Sequence, residues 1–95
     1  MPNVTDEMLT AAIAELPDEF DTHAVIRLVM RRAPRQYADD LAATPGDDPI
    51  LHYHAAIGRR LTHFDSISMT EKIASPNVRS GDATATENQK WKKKA

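Results

Sequence analysis

Three of the four histidines, two adjacent arginines and a glycine fall within HYHAAIGRRLTHF, residues 52–64. Imidazoles can ligate a metal, relay protons or donate hydrogen bonds, and their spacing decides among these uses. On a helix, His52 and His63 stand roughly 16 Å apart along the axis, and His52 and His54 point about 200° apart. Neither pair has the i, i+4 spacing with which two helical histidines share a zinc ion. No metal and no cofactor is therefore expected. Ser66, Ser68, Ser75 and Ser80 lack a nucleophile-elbow context, and the chain's three glycines form no phosphate-binding loop. The carboxylates sit at helix starts and in loops, where charge accounts for them without catalysis. The expectation is a binding protein and not an enzyme.

The helix that carries this stretch is expected from about Pro49 to Phe64, capped by Asp48. At 100° per residue Ile50, Tyr53, Ile57, Leu61 and Phe64 form its buried stripe. His52, Ala55, Ala56, Arg59, Thr62 and His63 lie opposite, with Gly58 at the edge. Small alanines permit close approach and the surrounding side chains donate hydrogen bonds, as a helix in a DNA major groove requires. A plain solvated face, or alanines packed on another helix, competes with that use.

The elements that must hold this helix follow from local signals. Thr5 caps a first helix with Asp6 and Glu7 in its first turn; Met8, Leu9, Ala12, Ile13 and Leu16 form its stripe, and Pro17 ends it. Asp21 caps a second, with Val25, Leu28 and Val29 inward and His23, Arg27 and Arg31 outward. Ala33 precedes Pro34, so the chain breaks there, and Pro34 opens a short third helix with Tyr37, Ala38, Leu41 and Ala42 inward. TPGDDP, residues 44–49, is a loop. After Phe64 the period changes to two: Ile67, Met69 and Ile73 alternate with polar residues. A turn-rich SPNVRSGDAT follows, and ATENQKW returns as a second strand anchored by Trp91.

Ninety-five residues suffice for one domain, residues 1–95, with 92–95 expected as a flexible basic tail. Absence of cysteine excludes disulfides and zinc ribbons and fits a reducing cytosol. The acidic start MPNVTDEML has no apolar h-region and reads as no signal peptide, and AVIRLVM is too short to span a membrane. A cytoplasmic protein is the default expectation. Net charge is −2, which argues against indiscriminate coating of nucleic acid. Yet charge is blocked: residues 1–26 hold six acids and no base, residues 27–37 hold Arg27, Arg31, Arg32 and Arg35 without an acid, and the end holds Lys90, Lys92, Lys93 and Lys94. The arginines form either a basic patch or a salt-bridge network with Asp39 and Asp40.

FDTHAVIRLVMRR with PRQYADDLAA, then ILHYHAAIGRRLTHF, then ISMTEKIASPNVRSGDATATENQKWKKK together resemble a winged helix-turn-helix domain. HAAIGRRL, the loop SPNVRSG and a late tryptophan are similar to small winged-helix proteins of bacteria and their phages. The resemblance implies a mainly α fold, three or four helices plus a C-terminal two-stranded wing. It also implies that residues 49–64 form the recognition helix and 75–83 the wing. A transcription-regulating or mobile-element protein that binds double-stranded DNA is the function it implies. His52, Ala55, Ala56, Arg59, Thr62 and His63 would then meet the groove. Arg60, Lys72, Arg79, Lys92, Lys93 and Lys94 would meet phosphates. Four or five phosphate contacts imply a salt slope near −4, and so few contacts favour a homodimer. A protein–protein interaction module on the same fold, docking a partner by the acidic N-terminal block or the Ala55/Ala56 face, remains the alternative. A subunit that completes an enzyme with a partner is a third.

Overall fold

The computed structural model describes residues 3–78 and 84–94. Each helix begins where its capping chemistry dictates. Helix α1 (Asp6–Ala14) starts at Thr5, whose hydroxyl accepts from the Met8 amide at 3.2 Å. A short strand β1 (Glu19–Asp21) leads into α2 (Thr22–Arg32), where the Asp21 carboxylate accepts from the Ala24 amide at 2.8 Å. Helix α3 (Pro34–Ala42) follows with Ala33 as the sole joint, because the Pro34 ring disfavours helical geometry in the residue before it. Gly46 takes φ +106° in the loop that follows, a conformation that strains other residues. Helix α4 (Pro49–Leu61) is capped by Asp48 onto the Leu51 amide at 3.2 Å.

Strands β2 (Ile67–Pro76) and β3 (Ala85–Lys93) form an antiparallel hairpin, and β1 pairs antiparallel with the outer side of β3. The described residues therefore build four helices and a three-stranded sheet in the order β1-β3-β2, where the sequence led us to expect a two-stranded wing. Strand β1 was missed because three residues carry no readable period. Its cause is Phe20, which is buried and sits in register with Trp91. Lys92 and Lys93, expected in a flexible tail, belong to β3 and are paired.

Trp91 is the centre of the core. It is 2 % exposed and donates its indole N–H to the Thr22 hydroxyl at 2.9 Å, so the polar edge of a large apolar group is satisfied. Leu9 and Ile13 of α1, Val25, Ile26 and Val29 of α2, and Tyr53, Ile57 and Leu61 of α4 join it.

Two faces differ from the periodic expectation. On α3, Tyr37 and Leu41 are half-buried, Ala38 and Ala42 are exposed, and Asp40 is buried. Asp40 accepts from the Asn3 amide at 2.6 Å, the Asn3 side chain at 3.0 Å, the Val4 amide at 2.9 Å and the Tyr53 hydroxyl at 2.9 Å. A carboxylate with that many donors tolerates burial. On α2, His23 is turned inward beneath the hairpin and not outward with Arg27. Among the described residues no helix is long and apolar enough to cross a membrane.

Candidate functional site

The outer side of α4 and one face of the β2–β3 hairpin enclose a groove of about 510 Å³. Leu51, His54, Ala55, Gly58, Arg59 and Thr62 form its α4 wall; Met69, Lys72, Glu87 and Gln89 form the hairpin wall; Ile26, His23, Thr22 and Trp91 lie at its floor.

A β-bulge makes the hairpin wall. Met69 pairs with Trp91 and Lys72 with Gln89, so β2 spends one more residue than β3 between those pairs. Residues three apart normally point to opposite faces of a strand. Here the bulge absorbs the extra residue, and Met69 and Lys72 line the same groove. The bulge also explains why Ile73, expected inward with Ile67, instead lines a shallow depression on the other side with Phe20 and Lys90.

Polar bonds to α2 hold the hairpin in place. The Thr22 hydroxyl donates to the Gln89 carbonyl at 3.3 Å, and Arg27 donates to the Pro76 carbonyl at 2.6 Å. The His23 amide donates to the Asn88 side-chain oxygen at 3.1 Å. At the α4 wall itself, Tyr37 of α3 and His54 share a 2.6 Å hydrogen bond, and burial raises the Tyr37 pKa above its ordinary value. Burial, then the adjacent Asp40 carboxylate, raises that of Tyr53.

The expected site residues divide. Ala55, Arg59 and Thr62 line the groove with Lys72 opposite, and the Arg59 guanidinium has no ionic partner among the described residues. Lys72 is 3.9 Å from Glu87, both well exposed, a pair that contributes little. His52, Ala56 and His63 sit one strip round the helix and do not line the groove. Arg60 pairs with Asp6 at 2.7 Å and so faces α1. Lys93 donates to the Leu16 carbonyl, Lys92 sits in register between Glu19 and Ser68, and the Lys94 amide donates to the Ser66 carbonyl. Arg79 lies outside the described residues.

The four-arginine block is not tied to Asp39 and Asp40. Arg27 binds the hairpin and Arg32 pairs with Glu15, while Asp40 is occupied by the N-terminal segment and Tyr53; Arg31 and Arg35 are exposed. Leu51, Gly58, Met69 and Gln89 were missed as site residues. Leu51, at 59 % exposure, belongs with Ala55, Gly58, Arg59 and Thr62 to an i, i+4, i+7, i+8, i+11 face that the histidines had drawn one residue too far round. Among the described residues, no three histidine, cysteine or acidic side chains converge in a way that could hold a metal ion.

Searches with the chain found no matching family model, no matching curated protein and no matching solved structure.

Proposed function

We propose that the chain is a winged-helix domain that binds duplex DNA, with α4 as the recognition helix and the β2–β3 hairpin as the wing, in the manner of small regulatory or mobile-element proteins. The element order supports this reading: a helix, a short strand, further helices and a hairpin, with the short strand closing on the hairpin's last strand. Helix α3 is an added short helix between the two helices of the helix-turn-helix.

One observation carries the proposal. Arg59, Ala55 and Thr62 share a concave surface with Lys72, and Arg59 is left uncommitted by the described residues. A helix side with a small residue for approach and a guanidinium for guanine or phosphate suits the major groove, and the hairpin cation suits the flanking backbone. Arg60 and Lys93 are engaged within the fold. Phosphate contacts then fall to about three, and the salt slope to about −2.7.

The test is fluorescence anisotropy with a random-sequence duplex between 50 and 200 mM salt, comparing wild type, Arg59→Ala and Arg31→Ala. Affinity is expected to fall about fortyfold across that range. Arg59→Ala should weaken binding and lower the slope by about one, while Arg31→Ala changes neither. Binding that is absent at low salt, or equally affected by both variants, removes the groove from consideration as a DNA surface.

A second reading has its own support. Leu51 and Met69, 59 % and 60 % exposed, are large apolar side chains that flank the same groove. Such a pair favours a protein partner over a phosphate backbone. On that reading the duplex signal stays flat at low salt.

A further inference from the structure

The hairpin's grip on α2 passes through a directed chain of hydrogen bonds. The His23 amide donates to Oδ1 of Asn88 at 3.1 Å, and a backbone N–H can only donate. That fixes the Asn88 amide, so its Nδ2 faces Ser75 and donates to Oγ at 3.0 Å. The Ser75 hydroxyl proton is then left for Nδ1 of His23, 2.9 Å away. Nδ1 is an acceptor in this arrangement, and the ring proton sits on Nε2, facing the Thr86 hydroxyl at 3.4 Å. One bond in the chain, from the Ser75 hydroxyl to Nδ1, requires a neutral imidazole.

We propose that His23 is a pH-sensitive latch on the β2–β3 hairpin: neutral, it holds Ser75 and Thr86 against the start of α2, and protonated, it releases that end of the hairpin and opens the groove. Protonation turns Nδ1 from acceptor to donor, so the Ser75 hydroxyl proton loses its acceptor and must turn away while its oxygen faces the Asn88 amide and the ring N–H together. It also sets a cation near Arg27, which already donates to the neighbouring Pro76 carbonyl at 2.6 Å.

The surrounding charges decide the direction. Burial disfavours the cation most, and Arg27 opposes it as well; Asp21 and the Pro76 carbonyl favour it, and the balance lowers the His23 pKa from 6.5. Arg59 and His54 from α4, Lys72 from β2 and Glu87 from β3 share the groove with His23, and Glu87 is already close to Lys72. Because the folded pKa is depressed, the latch is fully closed above the unfolded value of 6.5 and is lost as pH falls through the lower folded value. The loosening of the hairpin stands without any ligand; only its consequence for affinity rests on the duplex-binding reading.

Amide-exchange protection at Ser75, Thr86 and Asn88, corrected for intrinsic rates, tests the latch in the intact chain between pH 7.5 and 5. Protection is expected to fall roughly fivefold at these residues, the shift that one net hydrogen bond produces, while α1 is unchanged. In His23→Gln it should be flat with pH, and in His54→Gln it should follow wild type. An equal fall in His23→Gln, or constant protection in wild type, overturns the proposal. A second measurement is independent of variant folding: the ring nitrogen shifts of wild-type His23 at neutral pH should report a proton on Nε2, and a proton on Nδ1 refutes the chain. Duplex anisotropy over the same pH range separates the two readings. Hairpin loosening without any duplex binding retains the latch and discards the DNA role.

Discussion

The Tyr53 hydroxyl donates to the Asp40 carboxylate at 2.9 Å, and through that bond α4 is tied to α3 and to the N-terminal segment at once. The same oxygens accept the Asn3 and Val4 amides, so one buried side chain of α3 gathers donors from two other parts of the chain. The groove's α4 wall is therefore set from behind by a carboxylate and from the front by the hairpin.

Asp40→Ala should cost about 3 kcal/mol, because the Val4 amide and Tyr53 hydroxyl lose their acceptor where water is scarce. Tyr53→Phe removes one donor and leaves the carboxylate with others, so it should cost about half as much. Urea midpoints at constant m-value measure both. Equal costs would mean that the Tyr53 bond alone carries the site.

Asp40 also sets an acid limit. Burial opposes its ionisation, but the Val4 and Asn3 amides, the Tyr53 hydroxyl and the Asn3 side chain outweigh burial and hold its pKa below the ordinary 3.8. The folded state thus binds fewer protons at Asp40 than the unfolded chain does. Its stabilisation is complete above 3.8 and disappears as pH falls through the lower folded value. The difference in thermal midpoint between wild type and Asp40→Asn should shrink steadily from pH 5 to pH 2.5. A difference that is constant over that range means the carboxylate's charge plays no part.

Much of this was legible before any coordinates. Thr5, Asp21, Asp48, Pro34 and Pro49 mark helix starts by local chemistry, and each marks one here. Trp91 was readable as an anchor because a large apolar group among lysines has few other uses. What escaped was what depends on distant partners. Asp40 reads as a surface acid until Asn3 and Tyr53 are brought to it. His23 reads as solvent-facing until the hairpin covers it. Met69 and Lys72 read as opposite faces of a strand until the bulge places them together. Periodicity reports one element at a time, and these features belong to pairs of elements.

Thr22 joins Trp91 to the groove floor, since its hydroxyl accepts the indole N–H at 2.9 Å and itself lies 3.3 Å from the Gln89 carbonyl. Thr22→Val keeps the shape but leaves the buried indole N–H unpaired, with an expected cost of about 2 kcal/mol. Thr22→Ser should retain most of that. With a single tryptophan in the chain, its fluorescence reports the change directly. A Val variant as stable as wild type would place water at the indole.

Gly58 offers the opposite test. It sits inside α4 and lines the groove, where glycine costs about 1 kcal/mol relative to alanine. A methyl added there meets Cγ2 of Thr22 at 3.6 Å, ordinary van der Waals distance, with no backbone or charged group in the way. Gly58→Ala should therefore raise stability by about 0.5–1 kcal/mol. The same methyl stands on the α4 wall against Thr22 of the groove floor, so duplex affinity separates two depths of engagement. DNA held by Arg59 and Lys72 at the rim tolerates the methyl, and affinity is unchanged. A stabilised variant with tenfold weaker binding means that the incoming surface reaches the floor, as an apolar side chain seated between Leu51 and Met69 would, and favours a protein partner.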